Sequence, residues 1–113
     1  MEKIVEQGLL YDFYGELLTE HQKKIYEDVV YNDLSLAEIA AENGISRQGV
    51  HDMVRRCNRT LQGYEDKLHL IQRFIKAREN VGKLQELTED LELTREELII
   101  QVRRLTGLIL EEL

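Results

Sequence analysis

Apolar residues at Val5, Leu9, Leu10, Phe13, Tyr14, Leu17 and Leu18 recur at intervals of three and four, the spacing that stacks side chains on one face of a helix. This predicts a first helix over about 3–17. Thr19 followed three residues later by Gln22 reads as a capping box, and Ile25, Val29 and Val30 give a second helix, about 20–31, its own stripe. Asn32-Asp33 then offers side chains that hydrogen-bond nearby backbone in place of the helix ladder, so a turn is expected there. Ser35 with Glu38 reads as another capping box, opening a short helix from Leu36 to Glu42 that Asn43-Gly44 can end in the left-handed conformation. Ser46 is placed to cap a fourth helix beginning at Arg47, with Val50, Met53, Val54, Cys57 and Leu61 facing inward. Gly63 is expected to bend the chain, after which Tyr64, Leu68, Ile71 and Ile75 continue a helical stripe toward residue 79.

Beyond Gly82 leucine repeats every seven residues at Leu84, Leu91, Leu98 and Leu105. The companion position holds Leu87 and Leu108 but is filled by Thr94 and Gln101 in between, so half the seam is polar. Thr94 with Glu97 forms a further capping box, which favours two helices, about 82–91 and 95–111, in a hairpin or bent form over a single zipper. The organisation expected is a helix-turn-helix domain over 1–80, its motif at 35–59, and a C-terminal helical extension over 81–113. That extension would be a hairpin or a pair of oligomerisation helices, with a homodimer as the favoured assembly.

Composition sharpens the class. The 113 residues include no proline and seven glycines, and 33% are charged, mostly Glu, Lys and Arg, so the chain is expected to be all-α. Cys57 is the lone cysteine and cannot form an internal disulfide, and the chain opens Met1-Glu2-Lys3 without an apolar leader. A reducing cytoplasm is expected. The longest apolar runs, such as Leu98-Ile99-Ile100, fall far short of the roughly 20 residues a spanning helix requires. A net charge of −7 disfavours a non-specific nucleic-acid binder, but the charge is unevenly distributed. Residues 1–34 hold 3 basic and 8 acidic groups, whereas 46–62 hold four arginines against Asp52 alone.

That basic stretch coincides with a helix-turn-helix pattern. Such a motif needs a small residue where its helices cross, a residue tolerating positive φ in the turn, and apolar residues locking the pair. Ala40 supplies the first, Gly44 the second, and Ile39, Ile45, Val50 and Met53 or Val54 the third. With that core fixed, Arg47, Gln48, His51, Asp52, Arg55, Arg56 and Arg59 fall on the outward side of the second helix, the element such motifs present to the DNA major groove. Arg and Gln suit bidentate base contacts, and Ser46 with the helix N-terminus can hold a phosphate. The motif does not by itself separate DNA from RNA.

The stretches Leu18 to Gln22, Asp33 to Ala40 and Gly44 to Val50 resemble the promoter-reading helix-turn-helix of bacterial sigma factors, the region that contacts the −35 element. With Tyr11-Asp12-Phe13-Tyr14-Gly15 upstream and Tyr64-Glu65-Asp66-Lys67-Leu68 downstream, the chain over about 9–75 is more closely similar to the YlxM family of small Gram-positive bacterial proteins. The resemblance implies a helix-turn-helix bundle of the sigma factor region 4, winged-helix-like type. It also implies a DNA-binding regulator, and, because genes of that family neighbour that of the signal recognition particle GTPase, an accessory role in that pathway.

Other chemistries find little support in the residues. His51 and Cys57 lie six apart on one helix, poor spacing for metal ligands, and no histidine or cysteine cluster completes a set. Carboxylates such as Glu89-Asp90 and Glu96-Glu97 read as solvated faces or first-turn acids, and there is no phosphate loop or nucleophile motif, so neither an enzyme nor a cofactor is expected. Tyr11, Phe13, Tyr14, Tyr26, Tyr31 and Tyr64 sit at helical spacing beside aliphatic residues and read as core. The rival reading is an interaction or RNA-binding accessory of the signal recognition particle, in which the motif is a scaffold and the acidic helices dock a basic partner.

Overall fold

The computed structural model describes residues 3–113, with Met1-Glu2 outside them, and among these residues every regular element is helical. The chain divides into two units, 1–69 and 70–113. The first contains α1 (Lys3–Tyr14), a single 3-10 turn (Gly15–Leu17), α2 (Glu20–Val30), α3 (Leu36–Asn43) and α4 (Arg47–Leu68). The second is α5 (Leu70–Leu87) and α6 (Arg95–Glu112), which pack together as a hairpin.

Local signals set the boundaries of the first unit. Thr19 caps α2 through a full capping box, its hydroxyl accepting from Gln22 N at 3.2 Å while Gln22 Oε1 accepts from Thr19 N at 3.0 Å. Ser35 makes only half of one. Its Oγ accepts from Glu38 N, but the Glu38 carboxylate takes the Ser35 hydroxyl hydrogen at 3.1 Å instead of reaching the backbone. At the other end of α3, Gly44 adopts φ 64°, and the amides of Gly44 and Ile45 both turn back onto the Ala40 carbonyl, satisfying an orphan acceptor of the last turn.

Two sequence expectations fail here for physical reasons. Gly63 does not bend the chain: α4 passes straight through it and ends at His69, which takes the left-handed conformation at φ 56°. An interior glycine costs a helix only about 1 kcal/mol. Side-chain contacts offset this on both sides of Gly63, where Gln62 donates to Asp66 at 2.9 Å and Glu65 accepts from Tyr14 at 2.6 Å. Likewise Gly82 does not open a new helix but lies inside α5, which begins at Leu70, so residue 80 falls within a continuous helix. The leucine repeat is interrupted where α5 ends: Leu91 lies in the connecting turn at 94% exposure, whereas Leu105 is fully buried. Thr94 restarts the chain as α6 through a capping box with Glu97.

The first unit is built around a core where its helices converge. Ile25, Ile39, Ala40 and Val50 form a buried cluster where α2, α3 and α4 meet, with Val29, Leu34, Ile45, Met53 and Val54 packed around it. Tyr14 and Tyr26 are buried as well, and the Tyr26 ring stacks on Tyr11 with centroids 5.4 Å apart. Tyr31 departs from the expected aromatic core: it is half exposed, meets the Tyr11 ring edge-on and donates its hydroxyl to Asp12 at 3.0 Å. Gly15 is buried against the Tyr11 ring, which an added Cβ would meet at 2.9 Å.

Candidate nucleic-acid interface

Three residues fix how α4 leaves the turn. Ser46 caps it, its Oγ accepting from Gly49 N at 2.9 Å. A helix former at 49 is better on propensity alone, yet a Cβ there would press on that same Oγ at 3.2 Å. Val50 is fully buried against Ile25, Ile39 and Ala40 and locks the rotation of the helix. Burying side chains of this size stabilises by about 1.5–3 kcal/mol each, enough to outweigh any surface preference for how α4 turns.

With Val50, Cys57 and Leu61 inward, the opposite side is determined by the helical repeat. Gln48, Asp52, Arg55 and Arg59 follow one another at intervals of four, three and four and therefore form one line along α4. Arg47, Gln48, His51, Arg55, Arg56 and Arg59 are all exposed, as is Ser46 at the start of the helix. Asp52, Arg55, Arg56 and Arg59 line an open depression of about 160 Å³. Among the described residues, the guanidinium groups of Arg47, Arg55, Arg56 and Arg59 make no ion pair and no side-chain hydrogen bond. Arg55, Arg56 and Arg59 thus gather three guanidinium groups beside Asp52 in one depression of a chain whose net charge is −7.

The acidic member of the line is engaged sideways along the helix. Gln48 Nε2 donates to Asp52 Oδ1 at 2.9 Å, and His51 Nδ1 lies 3.8 Å from the same oxygen. The four-residue spacing of Gln48 and Asp52 puts them one helical turn apart, within side-chain reach of each other.

The inward side of α4 is structural. Cys57 is buried, and burial pushes its thiol up, keeping it protonated and unreactive. Asn58 Oδ1 accepts from the Tyr26 hydroxyl at 2.6 Å, tying α2 to α4. His51 is exposed while Cys57 is buried, so the two face different surroundings. Among the described residues no cluster of three or more His, Cys, Asp and Glu side chains is placed to hold a metal ion, and no helix is long and apolar enough to cross a membrane.

A short α3 closed by a left-handed glycine, followed at once by a capped α4 with a bare basic face, defines a helix-turn-helix protein. The chain belongs to the UPF0122 family, whose model, described as "Putative helix-turn-helix protein, YlxM / p13 like", matches residues 1–103. Similar relatives include a UPF0122 protein of Bacillus thuringiensis (strain Al Hakam), 41% identical over 87% of this chain and 89% of its own length. A UPF0122 protein of Clostridium botulinum (strain Alaska E43 / Type E3) is 38% identical over 96% of this chain and the whole of its own. One from Thermoanaerobacter sp. (strain X514) is 44% identical over 78% of this chain and 73% of its own.

Proposed function

We propose that this protein is a regulator that binds duplex DNA through α4, using a helix-turn-helix of the sigma factor region 4 kind. The observation that carries this reading is the set of guanidinium groups of Arg47, Arg55, Arg56 and Arg59, unpaired among the described residues, on a helix whose rotation is fixed by buried Val50. Phosphates would be held by Arg55, Arg56 and Arg59 and by the capped N-terminus at Ser46, and base edges would be met by Arg47 and Gln48, with His51 and Asp52 beside them. A helix-turn-helix family supports a regulatory and not an enzymatic role.

On this reading the regulator works in the cytoplasm, as the lone Cys57 suggests, and the resemblance to YlxM proteins supports an accessory role in the signal recognition particle pathway. We also propose that it acts as a homodimer through its C-terminal hairpin. There Ile99, Val102, Leu110 and Leu113, spaced three, eight and three apart on or just beyond α6, are exposed on one stripe. A second reading, an RNA-binding or protein-docking accessory of the signal recognition particle, is favoured by the acidic α2 region, where Glu16 and Glu20 are more than 90% exposed. Filter binding of the full chain at low salt, to genomic duplex DNA and in parallel to signal recognition particle RNA, separates these. Retention of duplex supports the DNA reader. Retention of RNA alone, or of neither, overturns it in favour of the accessory.

A further inference from the structure

Resting on the reading of α4 as the helix that faces nucleic acid, we propose that Asp52 is the specificity-determining residue of that face. It positions Gln48 for base readout and keeps phosphate out of the centre of the arginine depression.

A carboxylate one turn N-terminal to an arginine is in the favoured orientation for a helix ion pair. Asp52 has Arg55 three and Arg56 four residues on, and shares a depression with both and with Arg59. Yet among the described residues it pairs with none of them, and its Oδ1 is taken by Gln48 Nε2 at 2.9 Å. Asp52 therefore does not neutralise the arginines. Its charge remains in the depression, where it opposes the approach of a phosphate while leaving three cations around it.

The contact with Gln48 has a fixed sense. An ionised carboxylate only accepts, so Gln48 must present its amide nitrogen to Asp52, and its Oε1 is directed away. One amide N–H is thereby committed, and the other N–H together with Oε1 remains as an adjacent donor and acceptor. That pair matches the N7 acceptor and N6 donor of adenine in the major groove. Without Asp52 the amide is free to turn over and present the opposite pattern. A carboxylate in the reading face lowers affinity for the phosphate backbone, which every sequence shares, and so weights binding toward contacts that only the correct bases provide.

The experiment measures the wild type, Asp52→Asn and Asp52→Ala on two probes: a random duplex across a salt series, and a duplex pool randomised over one site with the bound fraction sequenced. Asp52→Asn removes the charge but retains an oxygen that can accept from Gln48. It should bind random duplex more tightly, with a salt slope steeper by up to about 0.9, and keep most of the base preference. Asp52→Ala should also tighten random binding but lose roughly tenfold of the preference at one base pair. Adding Gln48→Ala to Asp52→Ala should then cost no further preference. If wild type binds duplex and both variants match it in affinity and preference, Asp52 has no such role and the reading of α4 stands. If wild type retains no duplex at all, the reading of α4 falls and this inference with it.

Discussion

Tyr14 on α1 donates its hydroxyl to Glu65 on α4 at 2.6 Å, joining residues 51 apart in sequence. This contact, with Tyr64 tilted against the Tyr14 ring at 6.0 Å, holds the last turns of a helix that Gly63 would otherwise weaken. Tyr14→Phe removes the donor of this charge-assisted hydrogen bond, at a cost of about 1.5–3 kcal/mol. A denaturant melt of the variant should show that loss, and amide exchange should speed up over 64–68 more than over 47–55. Equal protection along α4 would show that the helix does not depend on this contact.

Gly49 is held by its neighbour and not by a need for flexibility. Alanine normally stabilises a helix by about 1 kcal/mol relative to glycine, but here its Cβ would crowd the capping Oγ of Ser46. Gly49→Ala should therefore leave the melting temperature unchanged or lower. A rise of several degrees, the size expected for a gain of about 1 kcal/mol in a domain of this length, would show that the cap yields without cost.

Much of the fold was legible because its signals are local. Thr19, Ser35, Ser46 and Thr94 each cap the helix they precede, and Gly44 takes the left-handed turn that an Asn-Gly pair suggests. Misreadings arose where glycine was weighed without its tertiary partners: Gly63 and Gly82 lie inside helices. Nothing local to Gly63 encodes the reach of Tyr14. The arginines of α4 were visible as a charge excess, but the coupling of Gln48 to Asp52 and, among the described residues, the absence of arginine pairing depend on side-chain rotamers that the sequence does not dictate.

Alkaline pH should weaken the α1–α2 packing. Burial pushes the Tyr31 hydroxyl up to about 12, helped by its bond to Asp12, and pushes Tyr11 and Tyr26 higher still, Tyr11 also through its hydroxyl donating to Glu27. The unfolded chain loses these phenolic protons near pH 10 while the folded one retains them. The stability they contribute is thus complete below about pH 10 and lost as pH rises toward 12. Denaturant midpoints at about pH 9 and about pH 11 should fall in that order. Equal midpoints, with phenolate absorbance appearing in step with free tyrosine, would contradict the buried arrangement.

Self-association through α6 makes a separate claim. Sedimentation of the full chain at micromolar concentration should give a dimer, and Val102→Glu with Leu110→Glu, both on exposed positions, should give a folded monomer. If wild type and the double variant sediment alike, the exposed stripe is not the dimer contact.

The central claim is that the unpaired arginines of α4 bind nucleic-acid phosphates. It is tested most directly by the salt dependence of duplex DNA binding for wild type and for Arg55→Ala with Arg56→Ala. Each lost phosphate contact lowers the slope of log affinity against log salt by about 0.9, so the double variant should bind more weakly and with a slope shallower by nearly 2. Folding should be untouched, since both side chains are exposed and unpaired. Identical affinity and slope in the two proteins would contradict the assignment of α4 as the binding face.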